Sequence, residues 1–138
     1  MGEKAKIVMI DDEIEVCNLV KTILERTGRY EVVISTHPQE GIEMVKLNKP
    51  DLILLDQIMP EMSGTQTAQV LYDDEATKDT TIVFLSALAI PMAFVASMVE
   101  HEDLKDKPGQ AGGQYFIQKP ISAIELVERL DRILADNK

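Results

Sequence analysis

Cysteine is nearly missing from this chain. The one present, Cys17, cannot close an intrachain disulfide. It falls on an apolar helical stripe, which reads as a small buried hydrophobe rather than a nucleophile, and a reducing, cytoplasmic setting is expected. Basic residues are scarce as well: Lys and Arg total 14 against 24 Asp and Glu, a net charge of -10. Such a balance repels nucleic-acid phosphate and anionic membranes, so direct binding to either is not expected. Long apolar runs are missing too. None approaches a membrane span. The run Ile7 to Ile10 is too short for a signal core, and charges follow it at once. Lys6 stands where a myristoylation signal after Gly2 requires Ser or Thr. There is no internal repeat and no low-complexity segment, and a soluble protein is expected.

What is there suits one compact domain, residues 1–138, with 45% hydrophobic residues and no room for a second domain of ordinary size. Short apolar runs at Ile7 to Ile10, Tyr30 to Ile34, Leu52 to Leu55, Ile82 to Leu85 and Tyr115 to Ile117 lack strict polar alternation, as strands covered on both faces do. Between the first two, Val16, Leu19, Val20, Ile23 and Leu24 are spaced as one helical stripe. Leu126, Val127, Leu130 and Leu134 repeat that spacing after the last run, behind a capping box of Ser122 and Glu125. Weaker helical stretches lie near 38–47, 64–73 and 90–100. Five strands alternating with five helices predict an α/β fold of three layers, a doubly wound parallel sheet between helices. Residues 101–113, with Pro108 and three glycines, predict a mobile surface loop.

In such sheets, ligands sit beyond the carboxyl ends of the strands. After the first run come Asp11 and Asp12, at the end of the third Asp56, at the end of the fourth Ser86, and after the fifth Lys119 and Pro120. Carboxylates gathered on one rim repel by roughly 4 kcal/mol per pair at ~4 Å with an effective dielectric near 20. A hard divalent cation resolves this, and magnesium prefers oxygen ligands of this kind. The cation neutralises an incoming phosphoryl group while a carboxylate serves as nucleophile, giving an acyl phosphate. Lys119 then supplies a point charge, and the Ser86 hydroxyl a hydrogen bond, to phosphoryl oxygens. Taken singly, each feature has a plainer explanation: an Asp pair is a common N-cap, and Lys-Pro or a strand-end Ser is commonly a turn. Their joint placement at successive strand ends outweighs those explanations.

The chain also resembles the CheY-like receiver domains of two-component response regulators. The resemblance runs from "KIVMIDDE" through "DLILLDQIMPEMSG" and "TIVFLSALA" to "YFIQKPIS", with D-x-x-M-P-x-M-x-G matched at Asp56, Met59, Pro60, Met62 and Gly64. It implies a flavodoxin-like sheet of order 2-1-3-4-5. It further implies that Asp56 is the phosphoacceptor, Asp12 a direct magnesium ligand, Asp11 a ligand through water and the Ile58 backbone carbonyl another ligand, with manganese as a substitute ion. Ser86 and Lys119 take the phosphate-contacting roles, and Ser86 with Phe116 the switch positions. Implied partners are a histidine kinase or histidine phosphotransfer protein and a downstream protein target. The resemblance also implies that the face of the fourth helix and fifth strand is where partners dock or a dimer forms. Self-catalysed acceptance and slow loss of the phosphoryl group are implied, not turnover of a separate substrate.

Two departures bear on regulation. Ile58 and Leu88, each two residues past a site residue, cannot orient an attacking water by hydrogen bonding, which predicts slow hydrolysis of a phosphoaspartate. The segment Ala87 to Val99 carries no charge, so it is either buried under the following loop or a docking surface. A charge placed at Phe94 or Met98 separates the two: lost folding means burial, and lost association with retained folding means docking. Three rival functions remain. A dehalogenase-type phosphatase needs a second Asp where Ile58 stands. A flavin carrier needs a phosphate-cradling loop where Asp11 and Asp12 would repel phosphate. A phosphorylation-independent pseudo-receiver is expected to lack an acidic residue or the lysine, and neither is lacking.

Overall fold

Apolar runs without polar alternation need cover on both sides, and the chain provides it. The computed structural model describes residues 4–86, 110–111, 114–118 and 122–136. In chain order these form β1 (Ala5–Ile10), α1 (Ile14–Glu25), β2 (Tyr30–Ser35), α2 (Pro38–Asn48), β3 (Leu52–Leu55), α3 (Gly64–Asp73), β4 (Thr81–Ser86), β5 (Gln110–Ala111), β6 (Gln114–Gln118) and α4 (Ala123–Asp136). The sheet order is β2-β1-β3-β4-β6-β5, with every pairing parallel except β5 against β6. The expected order 2-1-3-4-5 is thus the five-stranded parallel core. The short antiparallel β5 is an addition that falls inside the loop expected at 101–113. The helix expected near 90–100, and with it Phe94 and Met98, lies outside the described residues.

Period-two alternation divides the sheet between two cores. Ile7, Met9, Leu52, Leu54, Val83 and Leu85 point to one face, where Cys17, Val20 and Leu24 of α1 and Leu126, Leu130 and Ile133 of α4 cover them. Val8, Ile10, Ile53, Leu55, Ile82 and Phe84 point to the other, under Ile42 and Val45 of α2 and Ala68 and Leu71 of α3. β3 is buried along its whole length, whereas β2, at the sheet edge, exposes Glu31.

One expectation needs correcting. Leu19, placed on the buried stripe of α1, is 61% exposed. The buried arc centres on Cys17, Val20 and Leu24, with Val16 and Ile23 at its margin. At about 100° per residue, Leu19 falls beyond that margin. The capping role expected at Ser122 is present in one direction: the Glu125 backbone N–H donates to the Ser122 hydroxyl at 3.1 Å.

The edge strand is tied to the last helix by a buried phenol. The Tyr30 hydroxyl donates to Asp131 Oδ1, and Arg29 Nη2 donates to Asp131 Oδ2 at 2.8 Å. Burial, reinforced by Asp131, pushes the Tyr30 phenol up from its ordinary value, so it remains a donor throughout the neutral range. Tyr30→Phe is expected to lower unfolding free energy by about 1 kcal/mol, read from the urea midpoint.

Candidate functional site

The sheet register determines what meets at its carboxyl edge. Ser35, Ile10, Leu55, Phe84 and Phe116 form one continuous row across β2, β1, β3, β4 and β6. One step beyond that row on β1 and β3 are Asp11 and Asp56, side by side. Their backbones continue the sheet: Asp11 N–H donates to the Ser35 carbonyl at 3.1 Å, and Asp56 N–H donates to the Ile10 carbonyl at 2.9 Å. Asp11 is fully buried and Asp56 nearly so, while Asp12 is exposed.

One carboxylate oxygen from each of Asp11, Asp12 and Asp56 lies within 4.8 Å of the other two. The chain turn after β1 is held by Asp11 itself, whose Oδ1 accepts the Glu13 backbone N–H at 2.9 Å. Below it, the Cys17 thiol donates to the Asp11 carbonyl at 3.4 Å, a packing role that agrees with a buried hydrophobe. At such separations each carboxylate pair costs roughly 3 kcal/mol with an effective dielectric near 20. Among the described residues the donors that converge here are carboxylate oxygens, two of the three on buried side chains, and this fits a small hard divalent cation such as magnesium or manganese.

The loop after Asp56 shows why its pattern has these residue types. Met59 is buried in the core beneath α2 and α3, and Met62 packs against the same core, so the two methionines anchor the loop from below. Its base is closed twice: Gly64 N–H donates to the Gln57 carbonyl at 2.9 Å, and Gln57 Nε2 donates to the Thr65 hydroxyl. A Cβ at position 64 would lie 2.3 Å from the Asp56 carbonyl oxygen, so glycine is required by the close approach of the chain to itself. Ser63 and Gln66 complete a reciprocal capping box that starts α3. Between these anchors Ile58 is 57% exposed.

The tip of the loop has one further tie. Glu61 Oε1 lies 2.9 Å from Nδ1 of His37, the residue that precedes α2. The Glu61 carboxylate, with a smaller contribution from Glu40, raises the His37 imidazole above its ordinary value.

Of the residues expected at the site, Asp11, Asp12 and Asp56 are brought together, and Ile58 stands on the adjoining loop. Ser86 is the last residue of β4, its backbone paired with Gln118, and Phe116 lies in the continuous row opposite Phe84. Lys119 and Leu88 lie outside the described residues. Gln57, Thr65, His37 and Glu61 were not expected. The Ser63 to Gln66 spacing is a visible capping signal, whereas the other contacts join positions whose proximity depends on the fold.

The sequence model for the response regulator receiver domain matches residues 7–131. The phosphate regulon transcriptional regulatory protein PhoB of Pseudomonas aeruginosa is 34% identical over 128 residues, covering 93% of this chain and 51% of that protein. The chain therefore spans about half the length of that relative. The polar-differentiation response regulator DivK of Brucella anthropi is 26% identical over 133 residues, covering 96% of this chain and 98% of that protein. Among solved structures, a CheY-like receiver domain protein from Methanospirillum hungatei superposes with a TM-score of 0.79 at 24% identity, over 98% of this chain and 97% of that one.

Proposed function

Because the chain belongs to the response regulator receiver domain family, we propose that it accepts a phosphoryl group on Asp56 from the phosphohistidine of a histidine kinase or histidine phosphotransfer protein. The observation that carries this reading is the carboxylate cluster of Asp11, Asp12 and Asp56 at the carboxyl edge of adjacent strands. In the transfer an Asp56 carboxylate oxygen forms the new bond to phosphorus as the bond to the donor imidazole nitrogen breaks. Asp11, Asp12, Asp56 and the Ile58 backbone carbonyl are the residues that would hold magnesium or manganese. The bound ion would offset charge on the phosphoryl oxygens. Lys119 adds a point charge there and Ser86 a hydroxyl donor.

Receiver domains are signalling modules rather than enzymes that turn over a separate substrate. The response proposed here is a change in the population of two packings, with Ser86 drawn toward the phosphoryl group and Phe116 rotating into the space released. A full reversal from 1:99 to 99:1 requires roughly 5.5 kcal/mol of differential stabilisation, so a partial shift is expected. The surface that changes is the one near β6, where a downstream protein or a second copy docks. Ile14 and Leu19 of α1, the helix that follows Asp12 in the chain, are 50% and 61% exposed, which offers apolar surface to a phosphodonor protein. No helix among the described residues is long and apolar enough to cross a membrane, which is compatible with the proposed cytoplasmic setting.

Intact mass after incubation with magnesium and acetyl phosphate tests the reading. One added phosphoryl group is expected, and none when the cation is chelated. No gain under either condition would instead favour an interaction module that works without phosphorylation. The same sample tests persistence. Ile58 lacks a hydrogen-bonding group, so the acyl phosphate is expected to last minutes or longer, and Ile58→Asn to shorten its lifetime. Decay within seconds in wild type would contradict this.

A further inference from the structure

The loop that follows Asp56 is held very unevenly. Its base is closed by two hydrogen bonds from buried or backbone groups, Gly64 N–H to the Gln57 carbonyl and Gln57 Nε2 to the Thr65 hydroxyl. Met59 is buried in a core and Met62 packs against it. None of these ties changes charge. The tip, by contrast, is tied among the described residues by the polar contact of Glu61 with His37 on the neighbouring strand-to-helix turn. His37 is itself braced, since its N–H donates to the Ser35 hydroxyl at 3.2 Å and its carbonyl accepts that hydroxyl at 2.8 Å. The Ser35 backbone carbonyl in turn accepts the Asp11 backbone N–H. One chain of contacts therefore runs from the Asp11 backbone, through Ser35 and His37, to the loop that presents Ile58.

We propose that His37 and Glu61 form an ionisable strap that positions the 57–64 loop, and with it the Ile58 backbone, against the carboxylate rim. This inference rests on the cation-binding role proposed above for the loop, and it adds a regulation of that same site. His37 and Glu61 are positioning residues: neither is placed among the groups that meet phosphate or cation.

The direction of the effect follows from the charges that face the imidazole. Among the described residues these are Glu61 from the loop and Glu40 from the first turn of α2, both of which favour the imidazolium. The positive end of α2 opposes it. The net direction is upward, so the strap is charged and closed below the ordinary imidazole value, about 6.5, and it weakens as pH rises through the raised one. Both side chains are more than half exposed, at 60% and 58%, so salt screens the pair and the effect is modest.

The test follows backbone amide resonances of Ile58 and Gln57 in the full chain from pH 5.5 to 8.5, at low salt, beside the imidazole resonances of His37. In wild type the Ile58 amide is expected to titrate with the His37 midpoint. In His37→Gln and Glu61→Gln that component disappears, leaving only what the rim carboxylates contribute. His37→Arg, a cation at every pH used, is expected to hold the low-pH position throughout. Magnesium titrations on the same samples are expected to show wild type binding about two- to threefold more tightly than His37→Gln at pH 6, with the difference gone by pH 8.5. An Ile58 amide that ignores the His37 midpoint, or that titrates equally in all variants, overturns the strap. If that amide tracks His37 while magnesium binds nowhere, the strap stands and the cation-binding role fails.

Discussion

Asp56→Asn is expected to abolish phosphoryl acceptance and, in the absence of divalent cation, to make the protein more stable. The two effects have one cause. Asp56 is nearly buried, and its carboxylate lies within 4.8 Å of those of Asp11 and Asp12, where each pair costs roughly 3 kcal/mol at an effective dielectric near 20. An amide of the same shape removes the nucleophilic oxygen anion and most of that repulsion together. Asp56 also engages other groups, which offset part of the gain. A net rise of about 1–2 kcal/mol in unfolding free energy is therefore expected. Saturating magnesium should erase or reverse the difference, because the ion stabilises only the protein that binds it well. Urea unfolding with and without magnesium, paired with intact mass after acetyl phosphate, reads both effects. An unchanged or lowered stability without cation would show that the cluster is not strained, and would remove the argument that it exists to hold an ion.

Gly64→Ala is expected to damage fold and site together. The obstacle is space: the added Cβ would meet the Asp56 carbonyl oxygen at 2.3 Å and the Gln57 Cα at 2.8 Å. Both are main-chain atoms and cannot rotate aside as a flexible side chain could. The substitution must push the start of α3 away from the end of β3. That stretches the Gly64 N–H to Gln57 carbonyl bond and pulls on the Gln57 to Thr65 contact. Overpacking of this kind costs about 1–3 kcal/mol. Because the displaced backbone belongs to the acceptor itself, the rate of phosphoryl acceptance is expected to fall about tenfold or more. Stopped-flow or mass-resolved acceptance rates beside urea midpoints check this. Wild-type values for both would mean that the close approach relaxes freely and that glycine is dispensable here.

Much of the fold was legible in the residues. Leu52 to Leu55 could be read as a central strand because a run with no polar alternation has to be covered on both faces, and it is. Asp11 and Asp56 could be placed on one edge because strand ends of a parallel sheet share a side. Neither the register that sets them next to each other nor the two-residue β5 could be read, since β5 is too short to have a pattern. Leu19 was misplaced because neighbouring helical spacings overlap, and only packing decides which arc is buried. Gly64 stood out as part of a motif, yet its physical reason is a backbone approach that only three dimensions reveal. His37 and Glu61, 24 positions apart, carried no signal at all, because their meeting depends on the relative position of two loops.

The central claim is that Asp56 carries the phosphoryl group, and borohydride reduction of the phosphodonor-treated protein tests it most directly. An acyl phosphate on an aspartate is reduced to the corresponding alcohol, so that residue becomes homoserine and its mass falls in the peptide that contains it. This change is expected at position 56 alone, only in samples given both magnesium and phosphodonor. Homoserine at another carboxylate, or an unaltered Asp56 in protein that has gained phosphate, would contradict it.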